Sequence, residues 1–127
     1  MSDGPSGITA ITLFTDDLEA SKDFYGRAFG LPVHYEDAES AVFKFGGTMI
    51  NLLRNRAVPE LIDPAVAAPS SAGARAVMTV AVDDVDALCE MLRERGVALI
   101  NGPMDRPWGP RTASFADPSG HIWEVAQ

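Results

Sequence analysis

Glu124 is the side chain of this sequence whose position most favours a chemical role. It lies in the apolar run from His121 to Val125, directly after the turn-forming residues Asp117-Pro118-Ser119-Gly120. A carboxylate in a half-buried strand is costly unless it is paired, ligated or facing a wet cavity. The sequence therefore predicts that Glu124 anchors a ligand or acts as a general base. The alternatives are an unused side chain in water and a partner of an arginine.

Two further candidates come from one loop, in which Pro107 and Gly109-Pro110 flank Trp108 and Arg111 follows. An aromatic ring on a loop is typical of ligand stacking or of a dimer interface, although simple packing is an alternative. Arg111 is predicted to bind an anionic ligand group or to pair with Glu124, with an ordinary surface role as the alternative.

Other reactive residue types offer little. His34 and His121 are the only histidines, and His121 precedes Glu124 by three residues, so on a strand the two side chains point to opposite faces. Cys89, the only cysteine, excludes an intramolecular disulfide and a cysteine-based zinc cluster, and its place on an apolar helical stripe indicates a small buried hydrophobe.

Composition narrows the partners. The 127 residues are 46% hydrophobic and 22% charged, which is typical of a globular domain. The net charge of −8 argues against binding nucleic acid or an anionic membrane surface. No apolar run approaches the roughly 18 residues of a membrane helix, so no membrane association is expected. A single cysteine fits a reducing cytoplasm, which is the expected location.

The elements that position these residues occur twice. A strand over residues 8–15, a helix from an Asp16 N-cap to Gly30, and strands at 32–36, 40–45 and 48–54 form the first series. A Pro-, Ala- and Ser-rich connector without apolar period follows at 55–75. The series then restarts, because residues 12–20 match residues 79–87 at a constant offset of 67. We therefore predict one α+β domain over 1–127, built from two tandem βαβββ modules at 8–54 and 76–127.

This repeat resembles the vicinal oxygen chelate superfamily, which includes glyoxalase I, extradiol dioxygenases and bleomycin-resistance proteins. The resemblance rests on Asp17-Leu18-Glu19-Ala20-Ser21 with Phe24-Tyr25 and Phe29-Gly30-Leu31, on Val82 to Asp86, and on Asp117 to His121 with Glu124. It implies a barrel-like mixed sheet around a cleft, in a likeness that covers residues 8–127. It also implies a homodimer, in which the modules pair within one chain or swap between chains.

The resemblance also locates the positions that hold a metal ion in metal-dependent members. They correspond here to Ala10, Asn51, Val77 and Glu124. Alanine and valine cannot coordinate a divalent ion, and a neutral amide is a poor substitute for a carboxylate. We therefore expect no metal and no other cofactor.

Strand alternation completes the expected cleft. Its apolar wall is predicted to consist of Phe14, Met49, Leu53 and Trp108. Its polar contacts are predicted to be Thr12, Asn51, Thr79, Arg111 and Glu124. Such a cleft predicts a metal-independent protein that binds a small molecule, with antibiotic sequestration as one form of that function. The alternatives are a glyoxalase-like lyase or isomerase, or a dioxygenase-related enzyme, using Glu124 as general base, and a dimer whose cleft has no function.

Overall fold

A computed structural model describes residues 4–127; residues 1–3 of the expected domain lie outside the described residues. The first module has a four-stranded sheet in the order β1-β4-β3-β2, in which β1 runs parallel to β4 and the other pairs are antiparallel. Its elements are β1 (Ala10–Thr15), α1 (Leu18–Phe29), β2 (Tyr35–Glu36), β3 (Ser40–Phe45) and β4 (Thr48–Arg54).

The second module repeats this order. Its elements are β5 (Val77–Ala81), α3 (Val85–Glu94), β6 (Leu99–Asp105), β7 (Arg111–Ala116) and β8 (Ile122–Ala126). Their sheet has the order β5-β8-β7-β6, with β5 parallel to β8. The predicted α+β pair of βαβββ modules is thus confirmed. The two sheets remain separate, so β1 and β5 are both edge strands and the described chain forms no closed barrel.

Both long helices begin at equivalent aspartates. Asp17 caps α1 by accepting a hydrogen bond from the Ala20 backbone N–H at 3.1 Å, and Asp84 caps α3 through Ala87 at 3.0 Å. The prediction of Asp16 as the N-cap of α1 was one residue early. The carboxylate of Asp16 instead accepts a hydrogen bond from the side chain of Asn55. Gly30 ends α1 as predicted, with φ at +66°.

The connector is more ordered than its composition indicated. It contains a short helix, α2 (Val58–Ile62), between two 3₁₀ turns. Pro59 lies in the first turn of α2, where proline is tolerated because that N–H has no partner within the helix. Val58 is buried. With this one buried apolar anchor in five residues, the helix leaves no periodic signal.

The core lies between the modules, and α1 supplies its centre. Phe29 contacts Phe45 of its own module and Trp123 of β8, with ring centroids 4.9 Å apart in both pairs. Tyr25 packs against Trp123 at 5.8 Å, and Phe24 against Phe115 of β7 at 6.0 Å. Trp123 is 1% exposed and so belongs to this core. The aromatic side chains of α1 and β3 thus pack against those of β7 and β8, and this contact buries the apolar surfaces of both modules.

The turn from Asp117 to Gly120 is fixed against the first module. Asp117 accepts hydrogen bonds from the Ser119 and His121 backbone N–H groups and from the Tyr25 hydroxyl at 2.6 Å. The indole N–H of Trp123 donates to the same hydroxyl at 2.9 Å. Burial, together with the charge of Asp117, raises the pKa of Tyr25 well above its ordinary value near 10. This network ties β8 to α1.

Strand β6 departs from regular pairing at Gly102. Its φ is +85°, and a Cβ at this position would lie 2.4 Å from the Thr112 carbonyl oxygen, so only glycine fits. The register of β6 against β7 shifts between Asn101 and Met104. Among the described helices, none is long and apolar enough to cross a membrane.

Candidate functional site

Each sheet has one face under the helices and one open face. Several side chains on the helix-facing side are buried, including Leu13, Leu52, Trp123 and Val125. The residues that alternate with them are half-buried or exposed, and Val77 is 56% exposed. The predicted cleft residues therefore divide between two surfaces, one on each sheet.

The first open face belongs to the first module. It carries Thr12, Phe14, Met49, Asn51 and Leu53, all half-buried. The register places Thr12 opposite Asn51 and Phe14 opposite Leu53. The Asn51 amide donates to the Thr12 hydroxyl at 3.4 Å, while its Oδ1 is buried and has no hydrogen-bond partner. An unpaired buried acceptor costs about 1–3 kcal/mol, so a donor that reached this oxygen would relieve an unfavourable burial.

A cavity of about 500 Å³ opens at the end of this face, lined by Asn51 and Leu53 from β4 and by Glu60 and Leu61 from α2. Glu39 also lines the cavity and is ion-paired with Arg56 at 2.9 Å, which lowers the pKa of Glu39. The short helix of the connector thus forms one wall of a site that the sequence assigned to strands alone.

The second open face belongs to the second module and carries Glu124. The register places Thr79 and Ser114 on either side of Glu124, so all three share one face. The Thr79 hydroxyl donates to Glu124 Oε1 at 2.9 Å. Within the described residues, Glu124 Oε2 has no protein partner. The carboxylate is therefore oriented by one hydrogen bond and keeps one oxygen available.

Arg106 is a residue of this face that sequence reasoning missed. Its Nε donates to the Thr112 hydroxyl at 2.8 Å and its Nη2 to Asn101 Oδ1 at 3.3 Å. Thr112 pairs with Ala126, two residues after Glu124, so it shares the face of Glu124. Both acceptors are neutral, and no carboxylate pairs with Arg106 in the part of the chain described. The only sequence signal was the Gly102-Pro103 pair before it, which marks the irregular part of β6.

Trp108 lies on the loop between β6 and β7 and is 71% exposed. The Arg106 guanidinium lies 5.6 Å from the centroid of its ring, within the range of a cation–π contact. Packing into the core is therefore not its role. The exposed ring and the guanidinium together extend the second open face.

Arg111 is the candidate that the structure does not bring to either open face. It lies opposite Asp105 on the helix-facing side of β7 and forms two hydrogen bonds with Asp86 of α3, at 2.9 and 3.0 Å. The predicted pairing with Glu124 is corrected accordingly. Arg111 lowers the pKa of Asp86, and the exposed pair fastens α3 to its sheet.

The residues at the family's metal-ligand positions do not fit a metal ion. Ala10 and Val77 carry no donor atom, and Asn51 and Glu124 lie on different sheets. Among residues 4–127, no three His, Cys, Asp or Glu side chains are grouped so that they could hold one. Cys89 is buried, and burial raises the pKa of its thiol, which agrees with a packing role.

Comparisons with known proteins agree with this fold. The profile of the Glyoxalase/Bleomycin resistance protein/Dioxygenase superfamily matches residues 7–125. A curated relative, the uncharacterized protein YraH of Bacillus subtilis, is 32% identical over 119 residues, which cover 91% of this chain and 93% of YraH.

Solved structures give the same result. A glyoxalase/bleomycin resistance protein/dioxygenase from Nocardioides superposes with a TM-score of 0.84 at 29% identity, covering 98% of this chain and 85% of that one. A glyoxalase-related enzyme from Fulvimarina pelagi gives a TM-score of 0.80 at 30% identity, covering 96% and 88%. A lactoylglutathione lyase from Agrobacterium tumefaciens, at 24% identity and a TM-score of 0.78, covers 96% and 93% and is similar in fold.

Proposed function

We propose that this chain, which belongs to the glyoxalase/bleomycin resistance protein/dioxygenase superfamily, binds a small, partly aromatic molecule without a metal ion. The observation that carries the proposal is the second open face, where an oriented carboxylate, Glu124, lies on the same sheet face as the threonine that fixes it. Antibiotic sequestration is the form of this function that we propose first.

The chemistry of the two faces supports a mixed ligand. The first face offers Phe14, Met49 and Leu53 as apolar wall and the unpaired Asn51 Oδ1 as acceptor. The second offers the Glu124 carboxylate and, beyond it, the exposed Trp108 ring. Few polar groups on an apolar wall suit an aromatic molecule that carries a protonated amine. The net charge of −8 favours capture of such a cation.

We further propose that the chain works as a homodimer. Tyr35, Val77, Met104 and Trp108 are exposed, and the first three lie on the open sheet faces by register. A second copy would cover this apolar area. Sedimentation equilibrium measures the state directly, and a monomer at tens of micromolar protein would contradict this part of the proposal. The cytoplasmic location stays a prediction.

Titration with bleomycin and a panel of aromatic amines, followed by tryptophan fluorescence, tests the binding function, and Trp108→Phe identifies the part of the signal that does not come from Trp123. We expect a saturable change with at least one amine. Glu124→Gln should weaken that binding about tenfold, because a charge-assisted contact is lost. Glu90→Gln is the matched control, since this substitution removes the same charge from the exposed surface of α3. No response across the panel, or equal losses in the two variants, would contradict the proposal.

A second candidate function is proton abstraction by Glu124 in a lyase- or isomerase-type enzyme or one related to the dioxygenases. The free Oε2 favours it, because a general base needs an oxygen that a substrate proton can reach. The similarity to the glyoxalase-related enzyme of Fulvimarina pelagi adds support. The step would move a proton from a carbon beside a carbonyl to Oε2.

Exchange of substrate C–H for deuterium in D₂O separates the two functions. An enzyme should catalyse exchange in at least one small carbonyl compound, and Glu124→Gln should lose the exchange while much of the binding remains. Saturable binding without exchange would leave sequestration as the function. Exchange that survives in Glu124→Gln would remove Glu124 from the role of base.

A further inference from the structure

A second cavity lies between the modules, and neither Glu124 nor Asn51 lines it. Its volume is about 450 Å³, against roughly 30 Å³ for one molecule of liquid water, so it is much larger than a packing defect. It exists because β1 and β5 do not pair with each other, which leaves a gap between the edges of the two sheets. Connector residues 68–76 close one side, and the turn at residues 119–121 closes the end.

The walls of this cavity are mainly apolar. They come from both edge strands, through Ile11, Leu13 and Phe14 of β1 and Val77 and Met78 of β5. The turn and the connector meet closely at the end wall, where a Cβ on Gly120 would lie 3.4 Å from the Ser70 carbonyl oxygen. This partly open, mainly apolar cavity suits a compact hydrocarbon body.

Most polar groups at the rim are already engaged by the protein. His121 Nε2 lies 2.8 Å from the Phe14 carbonyl oxygen, so this nitrogen carries a proton and donates it there. Ser119 Oγ contacts the Thr15 hydroxyl at 3.1 Å and accepts a hydrogen bond from the Asp16 backbone N–H at 3.3 Å. The Asp16 carboxylate accepts from Asn55 and is not ion-paired with an arginine of the described chain.

Arg75 is the exception. It lines the cavity at its exposed connector side, and the described structure gives its guanidinium no hydrogen bond or ion pair. A planar guanidinium presents parallel N–H donors that match a carboxylate in a two-point contact. The chain carries a net charge of −8, so the unpaired Arg75 guanidinium is a local positive charge on an acidic protein. Beside an apolar cavity, this charge favours a ligand that carries an acid group.

We propose that this inter-module cavity binds a small monocarboxylic acid, with its apolar body between the edges of β1 and β5 and its carboxylate on Arg75. The acid end lies toward the connector, away from Asp16, because two like charges in one cavity repel. The cavity does not include Glu124 or Thr79, although Phe14 and Val77 at its edge also belong to the open sheet faces.

The test uses 4-phenylbutyrate and its uncharged analogue 4-phenylbutanamide, with binding followed on the full chain by two-dimensional ¹H–¹⁵N NMR. We expect 4-phenylbutyrate to shift the backbone amides of Gly73, Met78 and Gly120 saturably. The amide should bind at least about tenfold more weakly, because it lacks the charge-assisted contact. Arg75→Gln should reduce acid binding to the level of the amide.

Arg93→Gln is the matched control, since Arg93 is an exposed arginine on α3 and its loss changes net charge equally. It should alter acid binding less than about twofold. Ala74→Trp, in the exposed connector wall, should fill the cavity and abolish binding while the amides of Thr79 and Glu124 keep their positions.

Three outcomes would overturn the proposal. They are the absence of shifts at the cavity amides at millimolar acid, equal losses in Arg75→Gln and Arg93→Gln, and shifts confined to the face of Thr79 and Glu124. The last would place the acid on the site proposed for function and would leave that proposal standing. Conversely, failure of amine binding at Glu124 would not affect the shifts expected here.

Discussion

The two modules share a pattern but differ where they touch. At the offset of 67, Thr15, Ser21 and Tyr25 of the first module correspond to Val82, Leu88 and Leu92 of the second. The first set is polar and buried. The Thr15 and Tyr25 hydroxyls contact the turn that joins β7 to β8, and the Ser21 hydroxyl contacts that of Thr15. The second set is hydrocarbon and packs α3 on its own sheet.

The hairpin turns differ for the same reason. In the first module Gly46 and Gly47 join β3 to β4 in two exposed or half-exposed residues. The equivalent turn of the second module is longer, and its Asp117 and Ser119 are buried against the first module. A buried turn carries backbone and side-chain polar groups that need partners, and the first module supplies them. The first module thus provides the polar binding surface for the β7–β8 turn of the second module.

The open faces differ in charge. Thr12 pairs with the neutral Asn51 in the first module, and Thr79 pairs with the ionisable Glu124 at the same place in the second. The geometry of a threonine beside a polar β4 or β8 residue is preserved, whereas the chemistry has diverged. A single ligand that used both faces would therefore meet an amide on one and a carboxylate on the other.

The largest expected effect tests whether the contact between modules is the main stabilising core. Trp123→Ala should lower the free energy of unfolding by about 3–5 kcal/mol, because Trp123 contacts Tyr25, Phe29 and Phe45 of the other module. Trp108→Ala is the matched control and should change it by less than about 0.5 kcal/mol, since Trp108 is exposed. Urea unfolding followed by circular dichroism provides the measurement.

If Trp123→Ala fails to fold, Trp123→Phe keeps the aromatic packing and loses the bond to the Tyr25 hydroxyl. We expect a loss between those of the other two variants. Equal stability of the Trp123 and Trp108 variants would show that the aromatic contact between the modules is not the main stabilising core.

The second prediction tests the contact between Tyr25 and the β7–β8 turn through the pH dependence of the free energy of unfolding. The buried Tyr25 has a raised pKa, so above pH 10 the unfolded chain releases a proton that the folded chain keeps. The unfolded state then binds fewer protons, and stability falls as pH rises, whereas below pH 10 this contribution is fully present. Tyr25→Phe should cost about 2 kcal/mol at neutral pH and should remove much of the alkaline slope.

Tyr35→Phe is the control, because Tyr35 is the other tyrosine of the chain and is exposed. It should leave both the neutral stability and the slope nearly unchanged. An alkaline slope that persists in Tyr25→Phe would mean that another group carries it.

The smallest effect concerns the open faces. Asn51→Leu removes the unpaired Oδ1 and should leave stability unchanged or raise it by about 1 kcal/mol, because a buried acceptor without a donor is unfavourable. Asn101→Leu, the matched change in the second module, should lower stability by about 1 kcal/mol, since Asn101 accepts from Arg106. Thermal unfolding measures both. Destabilisation by Asn51→Leu comparable to that of Asn101→Leu would assign a structural role to Asn51.

Local patterns made much of the fold predictable. The Asp-Asp strand ends, the glycine helix ends and the period-two alternation identified both modules and the open side of β1, β4, β5 and β8. The Asp16 cap was wrong by one residue because two adjacent aspartates offer the same side-chain chemistry. Helix α2 was missed because five residues with one buried side chain produce no period.

The candidate site was less predictable. Thr79 and Glu124 could be assigned to the same face in advance, since both lie on strands of regular alternation, whereas their pairing came from the structure. Arg106 could not be assigned, because the register shift near Gly102 breaks the alternation that relates β6 to β7. Arg111 was misplaced for a related reason, since its partner Asp86 comes from a helix 25 residues away in sequence.

Local sequence patterns alone identified the two modules, the position of their helix ends to within a residue, their turns, and the open side of each sheet, because these depend on interactions within a few residues. The tertiary structure decided that the sheets stay apart, that the turn from Asp117 to Gly120 docks on Tyr25, and that a cavity remains between β1 and β5. Those features depend on how two hydrophobic surfaces pack across the chain, and packing of that range leaves no periodic trace in the sequence.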